Sequence, residues 1–146
     1  MIKHYQHTQI GYLIMVILII GIFFLAYLLT FHGFVWIIFI ITLIFGFCLI
    51  LFATLTVIIK EEILEIRFGP GFIRKKFLLK DIESCQVVKN PWYYGWGIRV
   101  MPNGMLYNVS GLYAVEIKMK TGQRHRIGTN VPNELEKAIL QFTKQH

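Results

Sequence analysis

Between Lys3 and Lys60 the chain carries no Asp, Glu, Lys or Arg. A charged side chain at the centre of a spanning helix costs roughly 3 kcal/mol, so a run purged of charge from His4 to Ile59 points to a bilayer. A hydrocarbon core about 30 Å thick needs roughly 20 helical residues. Ile10–Leu29 is almost wholly apolar, Thr30-Phe31-His32-Gly33 supplies a break, and Phe34–Ala53 is a second apolar block. The expectation is a helical hairpin, helices about 10–29 and 34–53, that crosses twice. One unbroken helix of roughly 44 residues would overshoot any bilayer about twofold. A cleaved signal peptide fits less well, because the apolar run exceeds an h-region and no small-x-small site precedes Thr30.

Basic residues set the expected orientation. Lys3 precedes the hairpin, none lies in its loop, and Lys60, Arg67, Arg74, Lys75, Lys76 and Lys80 follow it. Both termini are therefore expected on the cytoplasmic side of the cell membrane, with His32 outside. The few polar groups inside the helices, among them Tyr12, Tyr27, Thr42 and Cys48, offer no ionisable path for a channel or transporter. Gly11, Gly21 and Gly46 are candidates for close helix contacts.

From Thr54 onward the composition changes. All 8 carboxylates and every Lys and Arg but Lys3, of 15, lie beyond Ile59. Residues 54–146 are enough for one small cytoplasmic domain. Cys48 and Cys85 form neither a disulfide framework nor a metal set. Leu55, Val57 and Ile59 alternate with Thr54, Thr56 and Ile58, and Leu64, Ile66 and Phe68 alternate with Glu65 and Arg67. Gly69-Pro70-Gly71 reads as a turn before Phe72–Leu79. Ile82–Lys89 is another strand, and Ile98–Met101 and Met105–Val109 flank the turn residues Pro102-Asn103-Gly104.

Pleat selects the register of the last hairpin. With a loop of Lys120-Thr121-Gly122, Val115 faces Ile127, Ile117 faces His125, Glu116 faces Arg126 and Lys118 faces Arg124. Apolar side chains then share one face and charges the other. A closing helix follows, capped by Thr129 or Asn130, with Pro132 in its first turn. Its apolar stripe is Leu135, Ala138, Ile139 and Phe142.

About seven strands and then one amphipathic helix is the element order of a pleckstrin-homology (PH)-like barrel or sandwich. Pro91-Trp92-Tyr93-Tyr94-Gly95-Trp96-Gly97-Ile98-Arg99, Tyr107-Asn108-Val109-Ser110-Gly111, Ala114-Val115-Glu116-Ile117 and Ile127-Gly128-Thr129 with Pro132 resemble the bacterial PH-domain membrane proteins. The resemblance covers roughly residues 54–144 and implies an α+β membrane protein with a tethered PH-like domain. It implies no reaction. The phosphoinositide clamp of eukaryotic PH domains does not carry over, because the corresponding loop is Lys60-Glu61-Glu62 and its two carboxylates would repel a phosphate.

Two groups of side chains are binding candidates. Trp92, Tyr93, Tyr94 and Trp96, with Arg99 beside them, have three readings: packing inside the barrel, resting at the membrane interface, or docking a partner. Arg99 fits an ion pair with Asp81 or Glu83, or an anion site. Arg74, Lys75 and Lys76, together with Lys118, Arg124 and Arg126, are candidates for anionic lipid, against the plainer reading of a solvated basic face. Aromatic and basic residues do not interleave as nucleic-acid platforms do. His125 reads as a packed histidine, and Asn108-Val109-Ser110 as a chance glycosylation match on the cytoplasmic side. No catalytic constellation, phosphate loop or metal spacing is legible, and no cofactor is expected. The reading is a non-enzymatic, membrane-tethered binding or scaffold module. Its partners are a protein or further copies of itself, and the alternative is sensing of anionic lipid or a small anion.

Overall fold

A computed structural model describes residues 4–144, so Lys3 and the last two residues lie outside the described residues. The apolar stretch forms two helices, α1 (Tyr12–His32) and α2 (Trp36–Phe52). The break falls at 33–35, not at Thr30–Gly33 as the sequence suggested. The Thr30 hydroxyl donates to the Tyr27 carbonyl at 2.6 Å, which satisfies it within the helix. Gly33, at φ +73°, ends α1 in a conformation other residues avoid. α1 is roughly 31 Å long and α2 roughly 25 Å at 1.5 Å per residue; α1 is long and apolar enough to cross a membrane, and α2 is a shorter apolar helix. Along both, Leu51 is the one buried residue, at the base of α2. Gly21 lies against the Phe45 ring and lets the helices approach, whereas Gly46 faces open space.

The segment before α1 is itself a strand, β1 (His4–Ile10), which the sequence did not announce. It pairs antiparallel with β2 (Thr54–Lys60) from His4↔Lys60 to Ile10↔Thr54. The Gly11 N–H donates to the Ala53 carbonyl at 2.8 Å just beyond the ladder. The two helices are thus inserted into the bend of a β-hairpin. β3 (Ile63–Phe68) and β4 (Ile73–Leu78) complete a four-stranded antiparallel sheet in the order β1-β2-β3-β4.

β5 (Ile82–Lys89), β6 (Gly97–Met101), β7 (Gly104–Asn108), β8 (Tyr113–Met119) and β9 (Arg124–Gly128) form the second sheet, ordered β5-β8-β9-β7-β6. From Thr54 onward there are eight strands rather than about seven, β1 makes nine among the described residues, and β7 and β9 run parallel. β8 and β9 take the register that pleat requires, with Val115 opposite Ile127, Ile117 opposite His125, and Glu116 opposite Arg126. The molecule is α+β, with an apolar N-terminal helix, two sheets and a C-terminal helix.

α3 (Pro132–Thr143) closes the core. Its Leu135, Ala138, Ile139 and Phe142 join Leu55, Val57 and Ile59 of β2, Leu64, Ile66 and Phe68 of β3, and Val115, Ile117 and Ile127 of the second sheet. Burying each large apolar side chain contributes roughly 1.5–3 kcal/mol. Thr129 accepts the Val131 N–H at 3.1 Å before the first turn of α3. Asn130 turns away to meet His7 Nε2 at 2.6 Å and ties β1 to the start of the helix.

Candidate functional site

Strand directions give the domain two distinct ends. At one end β1 stops, β2 begins and both helices emerge. Around the helix bases lie Gly69 of the β3–β4 turn, against the Ile50 and Leu51 carbonyls, and Gly97 at the start of β6, whose missing side chain would point toward the Phe52 ring. Val109, after β7, packs against Gly11. At the other end lie the Pro102-Asn103 turn and the Lys120–Gly122 loop.

The Trp92–Trp96 segment links the two edge strands of the second sheet, leaving β5 at Lys89 and entering β6 at Gly97. Four inter-strand spacings make roughly 19 Å along the sheet, so this short strap stays near the helix end. Tyr94, at its middle, lies over the Arg126 guanidinium of central strand β9, with 5.8 Å from ring centroid to carbon. Trp96 tucks its Nε1 into a buried position with no hydrogen-bond partner. Trp92 and Tyr93 project outward, 77% and 68% exposed, and meet edge to face at 6.0 Å. The expected cluster therefore divides, with two rings covering the sheet and two facing outward. Arg99 bonds neither Asp81 nor Glu83; its Nε donates to the Trp96 carbonyl at 3.2 Å and holds the strap down.

The basic candidates also divide. Glu116, buried on the outer face of the second sheet, meets Arg126 Nε at 2.8 Å and Arg124 at 3.4 Å. Arg126 donates further to Asn90 Oδ1 at 3.0 Å. Lys118 pairs with Glu83 at 3.2 Å. These three cations already face carboxylates. Arg74 donates from Nε to the Gly71 carbonyl at 2.7 Å. Glu65 pairs with Arg67 at 2.6 Å, and that hydrogen bond holds its carboxyl below the usual range.

Lys75 occupies a different environment. It stands opposite Ile66 on the core-facing side of β4, an edge strand of the first sheet, with its ammonium 5.7 Å from the Phe77 ring centre. It borders an open cleft of about 690 Å³ with Asn103, Met105, Tyr107, Gln123 and His125. An adjoining hollow of about 440 Å³ shares Lys75, Gln123 and His125 and adds Lys76, Asp81 and Lys120. His125 is only 6% exposed, lies 4.8 Å from Phe77 and 6.3 Å from Tyr107 between ring centres, and leaves Nδ1 without a hydrogen bond. Burial, and then the Lys75 charge, push its pKa below 6.5. Burial raises the Tyr107 hydroxyl. The arrangement suits recognition of negative charge: ammonium groups on the rim and neutral, hydrogen-bonding rings behind them.

Sequence reading grouped Lys75 with Lys76 but did not unite them with His125. It missed Tyr107, Lys120 and Gln123 as their neighbours, because the β4 edge and the β8–β9 loop meet only through the packing of two sheets. One signal was present: a lysine at a core-facing position between Ile73 and Phe77.

Other groups have structural employment. Asn108, nearly fully buried, bonds the Gly111 carbonyl at 3.1 Å and the Ser110 N–H at 3.2 Å, and so shapes the β7–β8 loop. The Cys85 thiol is pushed up to about 11 by burial and by Glu136, far from a nucleophile's range. Among the described residues no three His, Cys, Asp or Glu side chains gather as a metal set. No family model matches the chain, and no curated protein matches it. The likeness to bacterial PH-domain proteins rests on the sequence pattern alone.

Proposed function

We propose that this chain is a membrane-tethered binding module with a PH-like domain and no catalytic role. In this reading α1 and α2 both cross the cytoplasmic membrane, β1 and β2 return to the cytoplasmic side, and the cleft docks an acidic segment of a partner protein. The cleft beside β4 carries the reading. Lys75, Lys76 and Lys120 line it against one carboxylate among the described lining residues, Asp81. β4 is also an edge strand of its sheet, where an extended segment can add a strand. Its lysines discourage self-pairing of like edges while leaving acidic chains acceptable. From Gly128 to Arg124, β9 spans roughly 14 Å away from the helix end, so headgroups of the chain's own membrane do not reach the cleft.

Full-length protein in phosphatidylcholine nanodiscs, titrated against a fluorescent oligoglutamate peptide, tests the reading. Anisotropy should rise on binding, weaken as salt is added, and fall at least tenfold in affinity for the Lys75→Glu/Lys76→Glu double variant. Equal binding by the double variant would contradict it. A second reading, a tethered domain that senses a small anion, is favoured by the buried His125 at the cleft wall. Inorganic phosphate competing with the peptide at equal concentration would select that reading.

A further inference from the structure

The exposed aromatic side chains gather at the end of the domain from which the helices leave. Trp92 and Tyr93 sit on the strap whose far end, Gly97, lies beside Phe52. Phe72, 73% exposed, lies in the β3–β4 turn that Gly69 presses onto the last turn of α2. Tyr113 opens β8, next to the Asn90–Leu112 backbone hydrogen bond at the foot of the strap, and is half exposed. Tyr12 opens α1 and is exposed. These side chains come from four separate stretches of chain and share one end of the fold. Cations stand with them: Lys89 lies 5.8 Å from the centre of the Tyr113 ring, and Arg74 and Arg99 brace the two loops. Large rings, all but Phe72 with a polar edge, set among cations and placed where apolar helices begin, match the chemistry of the headgroup layer.

We propose that this aromatic rim is a membrane-seating surface. Trp92, Tyr93, Phe72 and Tyr113 enter the interface of the bilayer that holds α1 and α2, and they press the domain onto it in one orientation. The inference rests on the membrane reading of the helices. Of the three readings of the strap, it assigns Trp92 and Tyr93 to the membrane interface, and it leaves the cleft facing the cytoplasm. A domain so seated, with no linker between Ala53 and β2, does not swing; it presents its cleft at a fixed height above the membrane.

The three tryptophans make the test. The full chain is reconstituted in phosphatidylcholine vesicles whose acyl chains carry bromine at a shallow or a deep position. One variant keeps Trp36 alone (Trp92→Phe, Trp96→Phe), and another keeps Trp92 alone (Trp36→Phe, Trp96→Phe). The expected result is quenching of both, with Trp92 quenched at least twofold more by shallow than by deep bromine. Quenching of Trp36 with none of Trp92 would overturn the seating surface and leave the helical anchor standing. No quenching of either would overturn the anchor and the inference with it. Trp96 is half-buried, so if Trp96→Phe fails to fold, Trp92→Phe is compared with the unaltered chain. Shallow quenching should then fall, and an unchanged value would contradict the proposal.

Discussion

Glu116 shows how one side chain can settle the fate of several. Its carboxylate is buried between Arg124 and Arg126, and Arg126 in turn holds Asn90 and lies over Tyr94. Glu116→Gln removes the counter-charge and leaves partly buried guanidinium groups unmatched. It should cost about 2 kcal/mol of stability, read as a lower denaturation midpoint with an unchanged slope. His125 carries a second residue-scale prediction. The folded chain holds this ring neutral, through burial and then the Lys75 charge, with Tyr107 and the cleft groups Lys76, Lys120 and Asp81 nearby. Below pH 6.5 the unfolded chain therefore binds more protons than the folded one. The stability that neutral His125 contributes is present above pH 6.5 and is lost as pH falls toward its lower folded value. Thermal unfolding should shift downward as pH falls below 6.5. His125→Phe, among Phe77 and Tyr107, should flatten that slope; an equal slope in the variant would show that another group titrates. The charge pairing around Glu116 was legible in sequence because strand alternation dictates which residues face each other. The cleft was not, because nothing local links Lys75 to His125.

At the scale of elements, the unexpected strand is β1. His4-Tyr5-Gln6-His7-Thr8-Gln9-Ile10 lacks the apolar alternation that marks a strand. It is held by its ladder to β2, by Gln9 bonded to the Ser110 carbonyl at 3.0 Å, and by the His7–Asn130 contact. A fragment beginning at Thr54 would strip β2 of its partner and expose an apolar edge. Such a fragment should aggregate. Joining Gly11 directly to Ala53 through an Asn-Gly turn should instead give a soluble, monomeric domain, because the Gly11 N–H and Ala53 carbonyl already meet at 2.8 Å. Size-exclusion chromatography without detergent separates the two outcomes. Gly69 gives a sharper test of the junction. Its φ is +56°, and an added Cβ would collide with the Ile50 and Leu51 carbonyls. Gly69→Ala should destabilise by more than about 1 kcal/mol and loosen the domain from α2, measured as faster amide exchange at positions 69, 71 and 72. Elements with a strong period, β2, β3, the β8–β9 hairpin and α3, were legible beforehand. The helix break was displaced because Thr30 and His32 are tolerated within α1, and β1 was silent because its strand character comes from pairing.

For the whole molecule, the insertion of two apolar helices into a β-hairpin constrains topology more than any composition count. β1 and β2 are paired neighbours, so the chain must leave and re-enter the same side of whatever the helices occupy. In the proposed membrane reading, two crossings satisfy that requirement and a single crossing does not. It agrees with the basic residues that follow α2 and with their absence from the turn at 33–35. In the proposed reading, the same geometry would set the rim against the membrane and turn the cleft away from it. The most direct measurement places Phe34→Cys, at that turn, and Lys60→Cys, at the far end of β2, singly in a chain with Cys48 and Cys85 replaced by Ala. Intact cells are treated with a membrane-impermeant maleimide. The account predicts labelling at position 34 in intact cells and at position 60 only after the membrane is opened. Labelling of both positions from the same side would contradict it.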